Sequence, residues 1–286
     1  MTPPATARVW HARERRIDVS RYAIMGVLNL TPDSFLAESR CATVAEAVAR
    51  ATVMCAEGAT IIDVGGESTR PGAPAVDADE ECRRIVPVIA ALARTLDVAI
   101  SVDTRKPAVA RAALDAGAHV VNDVSGCADP AMLTVVCESG AGIVVMQMQG
   151  DPATMQANPL DADTVMPALH AFFRARGAAL ATAGIARDQI VFDPGIGFGK
   201  TFAANERIVR ELATLAEHGQ PLMLGASRKR FIGERTGRAP AERLAGSLAV
   251  HVLAYAHGAR IIRTHDVRAT RDALEMAAVL LCETDS

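Results

Sequence analysis

The sequence predicts a single (β/α)8 TIM barrel, and three observations carry that expectation. Short apolar runs alternate with helix-patterned segments eight times without a break between Tyr22 and Leu281. The chain has 286 residues, the length of one such barrel. No G-x-G-x-x-G turn follows the first apolar run, as a dinucleotide-binding open sheet would require. An open doubly wound sheet, the competing architecture, shares only the alternation.

Residues 1–21 read as a polar lead-in, and residues 22–286 as the barrel. Tyr22–Leu30 is the first strand, and Thr43–Glu57 has helical spacing that stops at Gly58. Thr60–Val64 is the second strand, followed by the glycine-rich Gly65–Gly72 and a helix over Asp77–Thr95 with an acidic first turn. Val98–Asp103 and Ala118–Asp123 are strands, and helices over Pro107–Ala116 and Pro130–Glu138 open on prolines that suit a first turn. Gly142–Met148 precedes a loose loop and a long helix over Asp163–Thr182. Gln189–Asp193 precedes a helix over Ala203–Glu217. Pro221–Ala226 leads through Ser227–Arg230 into a helical region ending near His257. Ala259–Thr264 and a helix over Val267–Leu281 complete the set.

Composition narrows the function classes. Half the residues are hydrophobic and the net charge is −3, which argues against a broad nucleic-acid or membrane surface. The six cysteines never fall at C-x-x-C spacing, so reduced thiols of a cytoplasmic protein are expected rather than a zinc site or disulfide framework. Met1–Tyr22 has no apolar core of a signal peptide, and no apolar run is long enough to span a bilayer. Gly-Lys-Thr at residues 199–201 resembles the end of a P-loop, but Pro194 stands where that loop needs a glycine, and proline has no N–H to give a phosphate.

The strand exits carry the chemistry. Asn29, Asp103, Asn122, Asp193, Lys229, Arg263 and His265 all fall where apolar runs end, on the side of a barrel that bears active sites. Carboxylates and amides sunk in such a mouth suit a flat heterocycle rich in donors and acceptors. A lysine, arginines and a histidine beside them suit an anion such as phosphate. Asp63 and Asp123 are read either as loop braces or as site groups. His119, His251 and His257 are read as structural, and Met146, Met148 and Met223 as packing.

At these residues the chain resembles the dihydropteroate synthase family. Ile24–Phe35 (IMGVLNLTPDSF) is similar to its first signature and Gly58–Gly72 (GATIIDVGGESTRPG) to its second. Ser101–Thr104, Asn122-Asp123, Asp193–Phe198, Ser227–Lys229 and Arg263–Val267 match further motifs in the same order. The resemblance implies an enzyme of folate synthesis, in a family that sulfonamides target. It would join 6-hydroxymethyl-7,8-dihydropterin pyrophosphate to 4-aminobenzoate, giving 7,8-dihydropteroate and pyrophosphate.

By that pattern Asp103, Asn122, Asp193 and Lys229 would hold the pterin, with Arg263 against its ring. Asn29, Arg263 and His265 would bind pyrophosphate, with Mg2+ bridging it near Asn29. Thr69, Arg70, Pro71, Phe198, Ser227 and Arg230 would border the aminobenzoate. Asp103, Asp193, Lys229, Arg263 and His265 would carry catalysis, and the enzyme would be a homodimer.

Three positions depart from the family. Leu36-Ala37-Glu38-Ser39 replaces the usual Ser-Asp-Gly-Gly, Gln147 replaces the histidine of Met-His-Met, and Arg230 replaces a serine. The altered first loop and Gln147 keep open a pterin-binding paralogue with little catalysis; shared pterin recognition keeps open a pterin-dependent methyltransferase, which would need a corrinoid partner or domain.

Overall fold

Apolar runs that end at glycine, proline or a carboxylate become the strands, and the helices start and stop at local caps. The computed structural model describes residues 9–30, 43–69 and 73–281. A hairpin of β1 (Val9–Ala12) and β2 (Arg15–Asp18) comes first. The barrel strands are β3 (Ala23–Asn29), β4 (Ile61–Gly65), β5 (Ala99–Asp103), β6 (Val120–Asp123), β7 (Gly142–Met146), β8 (Ile190–Asp193), β9 (Leu222–Leu224) and β10 (Ala259–Thr264). They close in sequence order, with β10 returning to β3, and every barrel pair is parallel. The single (β/α)8 barrel is therefore the fold.

Helices α1 (Val44–Glu57), α2 (Ala78–Thr95), α3 (Pro107–Asp115), α4 (Pro130–Ser139), α5 (Val165–Thr182) and α6 (Phe202–Glu211) follow β3 to β8. Thr43 and Glu46 form a capping box on α1, and Gly58 ends it in the left-handed region. Asp77, Asp129 and Thr201 each accept a backbone N–H at the starts of α2, α4 and α6. The helix expected over Ala203–Glu217 is α6 continued by a 3-10 turn, Leu212–His218. The helical region after β9 divides into α7 (Arg230–Thr236) and α8 (Leu244–Ala256), and α9 (Val267–Leu281) closes the chain.

Side chains alternate across each strand, so one inward residue fixes the others. Met25, Ile61, Ala99, Val120, Val144, Val191, Met223 and Ile261 form an apolar layer at the barrel base. Their outward neighbours, such as Ile24, Ile62, Ile100, Val121 and Phe192, pack under the helices. Two residues beyond the base layer, the inward positions of β4, β5, β6, β8 and β10 are Asp63, Ser101, Asn122, Asp193 and Arg263. The lumen is thus apolar below and polar above.

The lead-in read as polar contains the hairpin that seals the base. Trp10, Ala12, Ile17 and Val19 join the basal layer, and Trp10 is fully buried with its indole N–H 2.8 Å from the Gln189 carbonyl. A Cβ on Gly142 would stand 3.0 Å from the indole nitrogen, so glycine there admits the tryptophan. Trp10→Ala should cost about 3–5 kcal/mol in urea unfolding. A loss near zero would show that the hairpin is no part of the barrel's cooperative unit.

Candidate active site

Residues far apart in the chain meet above the basal layer because parallel strands bring their C-terminal ends to one rim. Arg263 of β10 reaches across the lumen: its Nε donates to Asp63 Oδ2 at 2.6 Å and its Nη2 to Asp103 Oδ2 at 2.8 Å. Asn122 Nδ2 donates to the same Asp63 oxygen at 3.1 Å. Asp63, Asp103, Asn122 and Asp193 are all buried. The two acids on which the sequence reading depends, Asp103 and Asp193, face the same cavity. Arg263 and Lys229 lie within electrostatic reach of both.

Burial sets the charge states here. It pushes the Asp103 carboxyl up to about 7 despite the Arg263 guanidinium beside it. Burial also raises Asp193, against the pull of Lys229 and the Gly195 N–H. It lowers Lys229 to about 8. Burial works against the Arg263 charge as well, yet Asp63 and Asp103 outweigh it and hold the guanidinium protonated. Among the described residues, Asp63 Oδ1, Asp103 Oδ1 and Ser101 Oγ are buried without a protein partner. Buried acceptors left open in this way are what a ligand's N–H groups would satisfy.

Asp63 answers the question the sequence left open, and so does Asp123. Asp63 is two residues beyond inward Ile61, so it faces the lumen. Asp123 follows inward Asn122, so it faces outward and braces its loop. Its carboxylate accepts from Ser125 N and Oγ at 2.7 and 2.6 Å and from Cys127 N at 3.1 Å. Strand alternation would have separated the two.

The wall after β8 is tightly built. Asp193 Oδ1 accepts the Gly195 N–H at 2.7 Å. Gly195 has φ +66°, and a Cβ there would lie 2.0 Å from the Gln147 carbonyl oxygen, so only glycine fits. Lys200, the lysine of the apparent P-loop, is buried and donates to Gln147 O, Gln147 Oε1 and Phe198 O at 3.1, 2.5 and 3.0 Å. It braces the β7 and β8 exits instead of meeting a phosphate. Gln147 is thereby a partner of Lys200.

The remaining expected residues are placed as follows. Lys229 donates to the Ile196 carbonyl, and its ammonium lies 4.5 Å from the Phe198 ring centroid. His265 Nδ1 is 3.1 Å from Ser227 Oγ, which also accepts the His265 N–H at 3.3 Å. Asn29 ends β3, with its side-chain oxygen 3.5 Å from where a Cβ on Gly65 would stand, on the Asp103 side. Thr69 is half-buried on the loop after β4, while Arg70 and Pro71 lie outside the described residues, as do Thr31–Phe35 and the departing Leu36–Ser39. Arg230 is exposed, pairs with Glu234 at 3.1 Å and covers the Phe202 ring.

Sequence reasoning also passed over the group that anchors the loop after β4. Lys106 bridges Glu67 at 2.7 Å and fully buried Glu81 at 2.5 Å, and Glu67 accepts the Val76 N–H at 3.2 Å. Both sides of residues 70–72 are tied to α2 and the start of α3 by this cluster. His119 accepts the Ile100 N–H at 3.0 Å, His251 is buried beside Thr270, and His257 contacts the Val209 carbonyl, so all three serve structure as expected. No helix among the described residues is long and apolar enough to cross a membrane.

Comparison with known proteins agrees with this geometry. The family profile described as "Pterin binding enzyme" matches residues 25–265. The dihydropteroate synthase of Escherichia coli K12 is 43% identical over 270 residues, spanning 94% of this chain and 95% of its own. That of Neisseria meningitidis serogroup B is 43% identical over 275 residues, spanning 94% and 96%. A Yersinia pestis dihydropteroate synthase, solved in a sulfonamide drug complex, superposes with a TM-score of 0.91 at 41% identity, over 95% of this chain and 98% of that one. A Xanthomonas albilineans dihydropteroate synthase in complex with 7,8-dihydropteroate gives 0.85 at 38% identity, over 96% and 99%. With buried acids around a half-buried arginine at the mouth of the same barrel, the chain belongs to the dihydropteroate synthases, a branch of the pterin-binding enzymes.

Proposed function

We propose that the polar layer around Arg263 is the pterin seat of the dihydropteroate synthase reaction, which this chain carries out as a transferase. The observation that carries this is the set of inward-facing acceptors at Asp63, Ser101 and Asp103, with the two acids paired to one guanidinium. Asp103, Asn122, Asp193 and Lys229 hold the ring's donors and acceptors, and Asp63 joins them as the group that orients Arg263 and Asn122. Arg263 lies against the ring and, with His265 and Asn29, faces the pyrophosphate. Phe198, Thr69, Arg70, Pro71, Ser227 and Arg230 border the 4-aminobenzoate. Arg230 would contribute through its backbone N–H at the first turn of α7, since its side chain is held by Glu234.

The arylamine nitrogen attacks the pterin methylene, the C–O bond breaks, pyrophosphate leaves and the amine loses a proton. Positive charge grows on the methylene beside Asp103 and Asp193, while negative charge grows on the leaving group beside Arg263 and His265. Both sets of contacts therefore strengthen in the transition state. No side-chain nucleophile is required.

Mg2+ fits the residues only as an ion carried mainly by its substrate. Asn29 supplies a single amide oxygen at the β3 exit, and Mg2+ usually keeps several waters and takes phosphate oxygens. When bound it would neutralise charge on the leaving pyrophosphate.

Three further features support finer parts of this reading. Leu253, Met276, Val279, Leu280 and Leu281 are exposed apolar residues on the packed pair α8 and α9, which fits a homodimer through these helices. Cys55, Cys82, Cys127 and Cys137 are free thiols, as a cytoplasmic enzyme would keep them. The aminobenzoate border is also the region where a sulfonamide would bind, by analogy with the Yersinia pestis complex.

The direct test is pyrophosphate release from pterin pyrophosphate and 4-aminobenzoate; no release with both substrates and Mg2+ would end the proposal. Asp63→Asn should weaken pterin binding about 100-fold by calorimetry, because a charge-assisted contact between a buried carboxylate and a largely buried arginine is lost. Unchanged affinity would remove Asp63 from the seat. Asp103 is ionised above about 7 and protonated below it, and only the carboxylate accepts a ring N–H without surrendering an acceptor site. Pterin affinity should therefore fall as pH drops from 8 to 6, and Asp103→Asn should flatten that dependence. An equally steep profile in the variant would assign it to another group. Chelating divalent ions should abolish turnover, and Asn29→Ala should raise the Mg2+ concentration needed for half-maximal rate; the same requirement in both proteins would place the ion elsewhere.

A further inference from the structure

Outside the mouth, two imidazoles and a carboxylate converge on the helical layer. His170 lies in α5, while Glu217 and His218 end the 3-10 turn after α6. His170 Nδ1 is 2.8 Å from Glu217 Oε1 and 3.2 Å from His218 Nε2, and His218 Nε2 is 4.0 Å from the same Glu217 oxygen. Ligands at about 2.0–2.1 Å around a tetrahedral zinc ion stand about 3.3 Å apart, and these three edges bracket that value.

The outer contacts allow the donors to take ligand form. His170 Nε2 is 3.4 Å from Thr214 Oγ1, whose own proton goes to the Glu211 carbonyl at 2.8 Å. That hydroxyl can accept the Nε2 proton, leaving the His170 Nδ1 lone pair aimed at Glu217. Metal-bound histidines are oriented by such a partner on the far nitrogen. His218 is fixed edge-on to Phe173 and Phe192 at 5.7 and 6.1 Å, and its carbonyl accepts from Arg187 at 2.7 Å. Burial and the facing His170 ring lower its proton affinity, which favours the neutral imidazole.

In that tautomer a lone pair, a carboxylate and a second imidazole meet with no positive charge between them. A proton satisfies one pair, whereas a metal ion satisfies all three. We infer that His170, Glu217 and His218 form a site for a divalent transition-metal ion of the zinc type, tying α5 to the segment that leads into β9. Two nitrogen donors exclude Mg2+ and Ca2+ as the preferred occupant. The side chains of His170 and Glu217 are 21% and 60% exposed, so the ion can enter and keep a water as fourth ligand.

The test is titration of metal-free full-length protein with ZnCl2 in chelator-free buffer without substrates, followed by calorimetry and thermal unfolding. One equivalent should bind, with Tm rising on the order of 5 °C at a hundredfold excess over Kd. His170→Gln and Glu217→Gln, both at accessible positions, should each lower affinity at least about tenfold, and Thr214→Val should do so by about tenfold through the His170 ring. His11→Gln, which removes an imidazole from the hairpin, should leave the titration unaltered. Absence of binding in the wild type, affinity kept in either His170→Gln or Glu217→Gln, or loss in His11→Gln would each overturn the inference.

Discussion

Arg263 stands in the lumen where an unpaired charge could not be kept, and that condition organises the residues around it. Its guanidinium is held by Asp63 and Asp103, which lie 200 and 160 positions away in the chain. Removing one partner of such a buried pair generally costs about 3–5 kcal/mol, so β4, β5 and β10 must deliver their side chains to one height. The parallel register does this without special loops: Gly65 is opposite Asp103, Asp103 opposite Asn122, and Arg263 opposite Met25. Charge pairing thus fixes what the apolar base layer only permits.

The pairing also divides the mouth by function. The acids and Asn122 lie on the β4–β8 arc, while Arg263, His265 and Lys229 come from the last two units. A substrate with a donor-rich ring and an anionic tail can enter in only one orientation without setting like charges together. Lys200 is kept out of this arrangement by its three oxygen partners, whereas Lys229 has one carbonyl partner and stands within electrostatic reach of Asp193 and Asp103.

Much of the barrel was legible because its signals are local. Caps at Thr43, Asp77 and Thr201, the stop at Gly58 and the apolar runs all act within a few residues. The strand-end residues were legible because position along a strand implies position at the rim. Asp63 was underweighted because its role depends on inward alternation and on a partner two hundred residues away. Glu67, Lys106 and Glu81 are three separate charges in the sequence and become a cluster only when two helices are docked. The hairpin was hidden for another reason. Its strands are only four residues each, the second carries three charges in four residues, and its turn has Arg13 at φ 58° where Asn-Gly or Asp-Gly is usual. Arg13 is held there by donating to the Leu114 and Ala118 carbonyls, which the local sequence does not reveal.

That stopper changes what counts as the indivisible protein. A chain pared down to its eight repeats would keep every residue of the polar rim and still be missing its floor, leaving Met25, Ile61 and Val191 facing solvent through an open drain. The boundary of the packed unit therefore falls upstream of the first repeat, at the tryptophan rather than at the first strand of the cylinder.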